Sequence, residues 1–218
     1  MKRITLFCGH YGSGKTNIAL NYALRLKQDG GAVTVADLDI VNPYFRTKDS
    51  RAELESAGIR LICSDYANTN LDIPALPPDL YSITDDKTHR VILDIGGDDR
   101  GALVLGRIAP AILEEDSYEM LLVINRYRPL TPDAPSTVEV MREIETAGGI
   151  RFTGLVNNSN LGEATDAETV LSSVAYAEEV SRLSGLPVVM TSVKKELYPA
   201  LEGKIEHLLP MTLQKKIL

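Results

Sequence analysis

The sequence predicts a doubly wound α/β protein with a single, mostly parallel, seven-stranded sheet flanked by helices. Short apolar runs alternate with helical patterns from one end of the 218-residue chain to the other. Several of these runs are apolar throughout, which is typical of parallel strands covered on both faces. The length, with 44% apolar and 24% charged residues, suits one domain, which we expect to span residues 1–218.

The strand predictions rest on runs rich in β-branched and other apolar residues that are bounded by turn residues. Prolines at positions 74, 77 and 78 predict a loop within residues 64–89. We expect right-handed crossovers, because parallel neighbours are almost always joined in that way. The predicted strands are Ile4–Cys8, Ala32–Ala36, Ile59–Cys63, Arg90–Ile95, Glu119–Asn125, Phe152–Asn157 and Pro187–Thr191.

The helix predictions rest on amphipathic spacing and on residues that start or stop helices. Residues 15–28 place Ala19, Ala23 and Leu26 on one stripe and are followed by two glycines. Residues 101–115 also fit a helix, in which Pro110 should produce a kink or a restart. Three more helices are expected to open with capping boxes, formed by Ser50 with Glu53, Ser136 with Glu139, and Thr165 with Glu168.

Charge and composition argue against several classes of protein. Asp plus Glu outnumber Lys plus Arg, 30 against 23, so we expect no nucleic-acid partner. No apolar run approaches the ~20 residues that cross a bilayer, and no signal peptide opens the chain, so we expect a cytoplasmic protein. Cys8 and Cys63 end apolar runs and are predicted to be buried thiols. Residues 205–218 mix leucines with two lysines around Pro210, and we expect them to pack against the sheet rather than bind a membrane.

The most informative segment is Gly9-His10-Tyr11-Gly12-Ser13-Gly14-Lys15-Thr16. It matches the pattern G-x-x-x-x-G-K-[ST] and lies between an apolar strand and a helix. Its glycines let the backbone curl so that N–H groups point at a phosphate, and the following helix adds its positive dipole end. Lys15 can bridge β- and γ-phosphates, and Thr16 offers a hydroxyl to Mg²⁺. The alternative, a glycine-rich turn with a solvent-exposed lysine, leaves the flanking strand and helix unexplained.

Two acidic segments follow predicted strands. Asp94 ends an apolar run in the manner of a Walker B strand, and the glycines after it can approach a γ-phosphate closely. Asp37 and Asp39 follow the second strand and precede Asn42 and Pro43. Because the carboxyl ends of parallel strands share one edge of a sheet, we expect these carboxylates to lie near residues 9–16, which we call the P-loop. One of them could instead cap a turn, an alternative that suits Asp37 better than Asp94.

Together these motifs resemble the MinD/ParA/CobQ-type P-loop ATPases, the SIMIBI class with a modified Walker A loop. The resemblance rests on the P-loop, on the two acidic segments, and on Asn157 and Asn158 after the sixth strand. It implies Mg²⁺-dependent ATP binding and slow hydrolysis that changes the shape or the partner of the protein.

The same resemblance implies roles for individual residues. Lys15 holds phosphates and Asp39 orients the attacking water, while Gly97 offers its N–H near the γ-phosphate. Asn157 or Asn158 meets the base, and because Asn157 is followed by Asn160 rather than by an aspartate three residues on, ATP is favoured over GTP. The implied metal residues are Thr16, Asp37 and Asp94, and the remaining nucleotide contacts are Gly9, His10, Tyr11, Gly12, Ser13 and Gly14.

One position departs from the pattern of the family. Its members often carry a second lysine near the start of the loop, which reaches the partner's nucleotide across a dimer. Here that position is His10, and Tyr11 stands where a glycine is usual. Imidazole is shorter than a lysine side chain and, with a pKa of about 6.5, is mostly neutral at pH 7. Arg46, Arg100 or Arg126 could substitute as the cation.

The expected partners are the nucleotide, a second copy of the chain in a nucleotide-dependent homodimer, and a protein or small molecule that the sequence does not name. Two other functions remain open. The chain could be an ATP-dependent ligase or phosphotransferase in which Arg46, Lys48 and Arg100 hold a small acid. It could also be a non-hydrolysing nucleotide sensor, in which His10 has removed efficient turnover.

Overall fold

All eight strands of the described chain join one sheet. A computed structural model describes residues 2–39, 50–63, 80, 82–97, 99–115 and 117–213. The strands are β1 (Ile4–Gly9), β2 (Ala32–Leu38), β3 (Arg60–Cys63), β4 (His89–Gly96), β5 (Tyr118–Ile124), β6 (Gly154–Asn157), β7 (Val188–Lys194) and β8 (Leu208–Met211). The helices are α1 (Lys15–Gln28), α2 (Arg51–Ser56), α3 (Ser82–Asp85), α4 (Asp99–Glu115), α5 (Ala134–Gly148), α6 (Ala167–Leu171), α7 (Val174–Ser184) and α8 (Tyr198–Leu201).

The strand order places the first strand near the centre of the sheet. The order is β3-β2-β4-β1-β5-β6-β7-β8, and every pairing among the described strands is parallel. The carboxyl ends of β1, β2, β4, β5 and β6 therefore lie along one edge, where the loops that follow them meet.

Helices cover both faces of the sheet, as a doubly wound fold requires. Phe7 of β1 packs with Ile18 and Leu26 of α1 on one face, while its neighbour Leu6 packs with α4, α5 and α7 on the other. Successive side chains of a strand point to opposite faces, so an apolar β1 serves two cores. The predicted fold class, a parallel sheet flanked by helices, is confirmed.

The seven predicted strands are present, but the count of seven is wrong because an eighth strand pairs with β7. Leu209 and Met211 of β8 are buried, whereas Pro210 between them is exposed. Proline has no N–H to donate to a ladder and is therefore tolerated at the edge of a sheet. The expectation that this stretch packs against the sheet is confirmed for residues 208–211; residues 214–218, with Lys215 and Lys216, lie outside the described chain.

The predicted helices are present with different caps. α1 has the predicted bounds, and α4 continues through Pro110, so of the predicted kink or restart the restart is wrong. Ser50 is the N-cap residue of α2, but within the described residues no side-chain hydrogen bond caps this helix, so the predicted capping box with Glu53 is wrong. The cap predictions for α5 and α6 are wrong because an aspartate accepts the capping bond in each: Asp133 from the Ser136 N–H at 2.9 Å, and Asp166 from the Thr169 N–H at 2.8 Å.

The predicted loop within residues 64–89 contains α3, but residues 64–79 and 81 lie outside the described residues. Among the helices that are described, none is long and apolar enough to cross a bilayer.

The alternating burial of β8 provides a test of its place in the sheet. Leu209→Ala removes a buried side chain from the core on the α1 face, and we expect the free energy of unfolding to fall by roughly 2–4 kcal/mol. The matched control is Pro210→Ala at the exposed neighbouring position, which should change it by less than about 1 kcal/mol. Urea unfolding followed by circular dichroism measures both. Equal effects of the two substitutions would contradict the assignment of β8 as a packed strand.

Candidate functional site

Residues 9–16 form a tight loop between β1 and α1. The Ser13 N–H donates to the His10 carbonyl at 3.0 Å, and Gly12, with φ +78°, occupies the third position of this turn, as in a type II turn. Gly14, with φ +88°, is the N-cap of α1. Among the described residues no side chain caps α1 and none in its first turn is acidic, so its first N–H groups can receive an anion.

The end of β5 and the residue that follows β4 lie in close contact with this loop. A Cβ on Gly9 would lie 2.5 Å from the carbonyl oxygen of Val123 in β5, and a Cβ on Gly97 would overlap the carbonyl oxygen of Gly9. Only glycine permits such approaches of backbone to backbone. The structure thus places Gly97, predicted to serve the γ-phosphate, directly beside the P-loop.

The side chain of Lys15 is buried against carboxylates. Its Nζ lies 2.6 Å from Asp39 Oδ2, and the two side chains are only 4% and 5% exposed. Burial lowers the pKa of Lys15, but the charges of Asp94 and Asp39 and the hydrogen bond to Asp39 raise this pKa more, so the net shift is upward. The ammonium therefore stays charged.

The other predicted carboxylate lies in the same group. Asp37 and Asp94 are register partners on the adjacent strands β2 and β4, and Asp94 is fully buried. The Asp39 N–H donates to Asp37 Oδ1 at 3.2 Å, so Asp37 also forms a turn, as the alternative for this residue anticipated. The structure brings Lys15, Asp37, Asp39 and Asp94 together, as predicted from their strand ends.

Two residues at the N-terminus of α1, Ser13 and Thr16, carry hydroxyl groups. Thr16 is buried, and so is Ser13, whose Oγ forms no hydrogen bond within the described chain. A buried hydroxyl without a partner costs about 1–3 kcal/mol, which an oxygen of a ligand or a water molecule would recover. This orphaned hydroxyl beside a buried ammonium fits an anionic ligand.

The predicted metal residues offer suitable but incomplete ligands for Mg²⁺. Thr16, Asp37 and Asp94 carry hard oxygen donors, which are the donors that Mg²⁺ selects. Within the described residues, no group of three His, Cys, Asp or Glu side chains could hold a metal by itself. Such a set fits a Mg²⁺ ion that also takes phosphate and water oxygens.

The two predicted base contacts are engaged inside the protein. Asn158 Nδ2 donates to the Ser13 carbonyl at 2.6 Å, and its Oδ1 accepts from the Ser192 hydroxyl. Asn157 Nδ2 donates to Ser173 Oγ at 2.9 Å, and both asparagines are buried. Asn158 therefore supports the P-loop, and contact of either amide with a base stays a prediction that would require one of these bonds to open.

A small pocket of about 20 Å³ lies beside Asn158, at the carboxyl ends of β6 and β7. A volume of this size holds a water molecule but not a nucleoside. Lys194 closes one side by donating to the carbonyl oxygens of Glu163 at 2.7 Å and Thr165 at 3.4 Å. The lining consists of Asn158, Ser159, Asn160, Gly162, Thr165, Val170, Ser192, Val193, Lys194, Met211 and Leu213.

A cation that contacts the loop from a distant part of the sequence was not predicted. Arg128 Nε donates to the Gly12 carbonyl at 2.7 Å. Arg126, one of the predicted cations, instead lies 5.6 Å from the ring centre of Tyr127 and 6.0 Å from that of Tyr176. The signal that could have identified Arg128 is its place on the loop after β5, the neighbour of β1.

Other predicted residues lie outside the description or at the rim of the site. Residues 40–49, which include Asn42, Pro43, Arg46 and Lys48, and the side chain of Arg100 are outside the described chain. His10 Nδ1 lies 3.1 Å from the Tyr11 carbonyl oxygen, and the Tyr11 side chain is exposed.

Comparisons with known proteins find likeness in structure. No protein-family model and no curated protein matches the sequence. FtsY from Mycoplasma mycoides aligns with TM-score 0.53 and 16% identity, over 87% of this chain and 59% of that chain. The FtsY signal recognition particle receptor from Elizabethkingia anophelis aligns with TM-score 0.52 and 17% identity, over 96% and 62% respectively. The signal recognition particle 54 kDa protein from Aeropyrum pernix K1, in complex with GDP, aligns with TM-score 0.53 and 17% identity, over 85% and 40%.

These likenesses concern the fold. The chain spans less than two thirds of the length of each of these proteins. At such identity the comparison shows the fold alone, a parallel sheet flanked by helices, as predicted.

The thiol beneath the loop allows a test of how tightly the site is packed. Burial raises the pKa of Cys8 from 9.0 to about 12, while the Lys15 charge acts in the opposite direction. Because the thiolate is the reactive form, at about pH 8 iodoacetamide should label half-buried Cys63 first and Cys8 only after unfolding. Labelling of Cys8 in the folded protein as fast as Cys63, read by mass spectrometry, would contradict this packing.

The same pKa shift has a consequence for stability. The unfolded thiol ionises near pH 9.0 and the folded one near 12. The contribution of Cys8 to the free energy of unfolding should therefore be constant below pH 9.0 and fall as the pH rises from 9.0 towards 12. The variant Cys8→Ala, compared with the wild type by urea unfolding across this range, should lack that part of the decline.

Proposed function

We propose that the chain is a MinD/ParA-type P-loop ATPase, which binds ATP with Mg²⁺, hydrolyses it slowly and acts as a nucleotide-dependent switch. One observation carries the proposal: the uncapped N-terminus of α1 stands beside a buried, charged Lys15 and the orphaned Ser13 hydroxyl. Buried ion pairs contribute little net stability, so a buried ammonium at a helix N-terminus is better explained by an anion that it receives.

The proposed chemistry is electrostatic positioning. Lys15 Nζ contacts the Asp39 carboxylate. When phosphate oxygens take over the ammonium, the Asp39 carboxylate becomes available to orient a water for in-line attack on the γ-phosphate. The N–H groups of the loop and of Gly97 stabilise the charge that develops on the phosphoryl oxygens.

The metal residues complete this arrangement. Mg²⁺, when bound, neutralises charge on the β- and γ-phosphates. Thr16, Asp37 and Asp94 would hold it, directly or through water. Hydrolysis would be slow because the side chain of His10 is shorter than the second lysine that the family carries at this position.

The pocket beside Asn158 marks the proposed nucleoside site, since it adjoins the P-loop at the edge where ligands of such sheets bind, and its walls would have to move apart to admit a base. ATP is proposed over GTP because Asn157 is followed by Asn160 rather than by an aspartate three residues on. A structural neighbour described above is in complex with GDP. The choice of base is therefore part of the test.

A second copy of the chain is the proposed partner in the nucleotide-bound state. Three large apolar side chains stand exposed on the loops after β1, β5 and β6: Tyr11 at 52%, Leu130 at 54% and Leu161 at 49%. These loops follow strands whose carboxyl ends lie along the same sheet edge as the P-loop, which is the edge that the proposed dimer would cover. Association there would make partner binding depend on the nucleotide.

Substitution of Lys15 tests the phosphate site. Lys15→Ala should weaken ATP binding by at least tenfold, because it removes the cation that meets the phosphates. Titration calorimetry with Mg²⁺ measures the affinity, and ATP and GTP are compared on the wild type, where we expect tighter binding of ATP. Phosphate release is measured on the same samples and should be lost in the variant.

Two further variants make the Lys15 test decisive. Lys15→Arg keeps a positive charge beside Asp39, so this variant should fold even if the alanine variant does not. We expect it to bind ATP more weakly than the wild type, because the bulkier guanidinium displaces the phosphates. Lys195→Ala removes an exposed lysine of the same sheet edge and should bind ATP as the wild type does. ATP binding by Lys15→Ala at wild-type affinity would show that the site lies elsewhere.

The exposed apolar side chains allow a test of the proposed dimer. With a nonhydrolysable ATP analogue, light scattering should report a doubled mass for the wild type and for Leu113→Arg, but not for Leu130→Arg. Leu113 is similarly exposed, at 45%, but lies near the end of α4, away from the P-loop edge. A wild type that binds the analogue and remains monomeric would exclude the dimer and leave nucleotide binding intact.

A further inference from the structure

Arg128 holds a peptide group of the P-loop from a distance of 116 residues in the chain. Its Nε donates to the Gly12 carbonyl oxygen at 2.7 Å. The N–H of the same peptide group belongs to Ser13 and donates to the His10 carbonyl at 3.0 Å. Both polar atoms of the Gly12–Ser13 peptide group are therefore held in place.

This peptide group needs an external restraint. Gly12 has φ +78° and no Cβ, so the peptide groups on either side of it can rotate at small cost. A rotation that turned the Gly12 carbonyl oxygen inward would place a negative partial charge where phosphate is to bind. A donor on the outside of the loop prevents it.

The next peptide group is restrained in the same manner. Asn158 Nδ2 donates to the Ser13 carbonyl at 2.6 Å. Because C=O and N–H point in opposite directions across a trans peptide, a fixed Ser13 carbonyl also fixes the direction of the Gly14 N–H. The loops after β5 and β6 thus hold two successive carbonyls of the P-loop, one each.

The backbone that carries Arg128 is itself well fixed. Its N–H donates to the Asn125 carbonyl at 3.2 Å, and its carbonyl accepts from the Thr131 N–H at 3.1 Å. The Tyr127 N–H donates to Oδ1 of Asn125, which is fully buried, at 3.0 Å. Arg128 therefore starts from a hydrogen-bonded turn rather than from a loose surface loop.

From this geometry we infer that Arg128 is a positioning residue of the phosphate site. It orders the P-loop before phosphate arrives and adds a positive charge from the same chain. The inference rests on the proposed nucleotide site and adds a residue that the family resemblance did not supply. Hydrogen bonds from a guanidinium are charge-assisted and about twice as strong as neutral ones, which suits this restraint.

The restraint can be tested without nucleotide. In Arg128→Ala, amide hydrogen exchange at Ser13 and Gly14 should accelerate about tenfold, since one charge-assisted bond that opposes local opening is lost. Arg128→Lys keeps the charge but cannot present a planar N–H at the Nε position, so it should exchange nearly as fast as Arg128→Ala. The matched control is Arg151→Ala, an exposed arginine between α5 and β6 at the opposite edge of the sheet, which should exchange like the wild type.

Nucleotide affinity provides the second readout. A disordered loop should weaken ADP and ATP equally, by about tenfold in Arg128→Ala, because its amides serve the β-phosphate that both nucleotides carry. A loss confined to ATP would indicate direct contact with the γ-phosphate and would overturn the positioning role. The midpoint of urea unfolding should match that of Arg151→Ala, which separates this effect from general destabilisation.

The two readouts separate this inference from the proposed function. Unchanged exchange at Ser13 and Gly14 in Arg128→Ala overturns the inference whether or not nucleotide binds, and so does exchange at the wild-type rate in Arg128→Lys. If the wild type binds neither ADP nor ATP, the proposed function fails, and the exchange result still decides whether Arg128 restrains the loop.

Discussion

The buried ammonium of Lys15 is the constraint on which the rest of the site depends. An uncompensated charge at such depth would be strongly unfavourable, and Asp39 and Asp94 compensate it. These three residues come from α1, from the end of β2 and from β4. In the parallel sheet β4 lies between β1 and β2, and the carboxyl ends of these three strands lie at one edge. The strand order therefore places the two carboxylates where they can balance the charge of Lys15.

Around the cluster of Lys15, Asp39 and Asp94, the P-loop is held by close backbone contacts and by two side-chain hydrogen bonds. Gly9 and Gly97 leave no room for a Cβ, and the loop is held from outside by Arg128 and Asn158. The carbonyl oxygens of Gly12 and Ser13 are thus occupied by donors from the loops after β5 and β6. Such preorganisation lets a polyanion bind with little loss of loop entropy.

Local patterns predicted most of the fold and about half of the site. Apolar runs identified seven strands and the bounds of α1, and strand ends placed Asp37, Asp39 and Asp94 correctly. β8 was not predicted from the sequence because it has only four residues, one of which is a proline. The segment is also held by a contact that is distant in sequence, since Asn21 of α1 forms two hydrogen bonds with the Thr212 backbone. The contacts of Arg128 and Asn158 with the P-loop were not predicted for a similar reason. A sequence shows that an amide or a guanidinium is present but not whether it faces a ligand or the protein.

The charges of the site explain why the proposed nucleotide would need its metal. Three carboxylates, of Asp37, Asp39 and Asp94, stand near the loop against the cations of Lys15 and Arg128, and the helix dipole adds only about half a positive charge. A bare triphosphate would bring further negative charge to a region that is not positive. A divalent cation held by Thr16, Asp37 and Asp94 would add positive charge to this region and offset those carboxylates, so that Lys15 could leave Asp39 for the phosphates. In the proposed mechanism the release of Lys15, and with it the freeing of Asp39 for water, would therefore depend on metal binding.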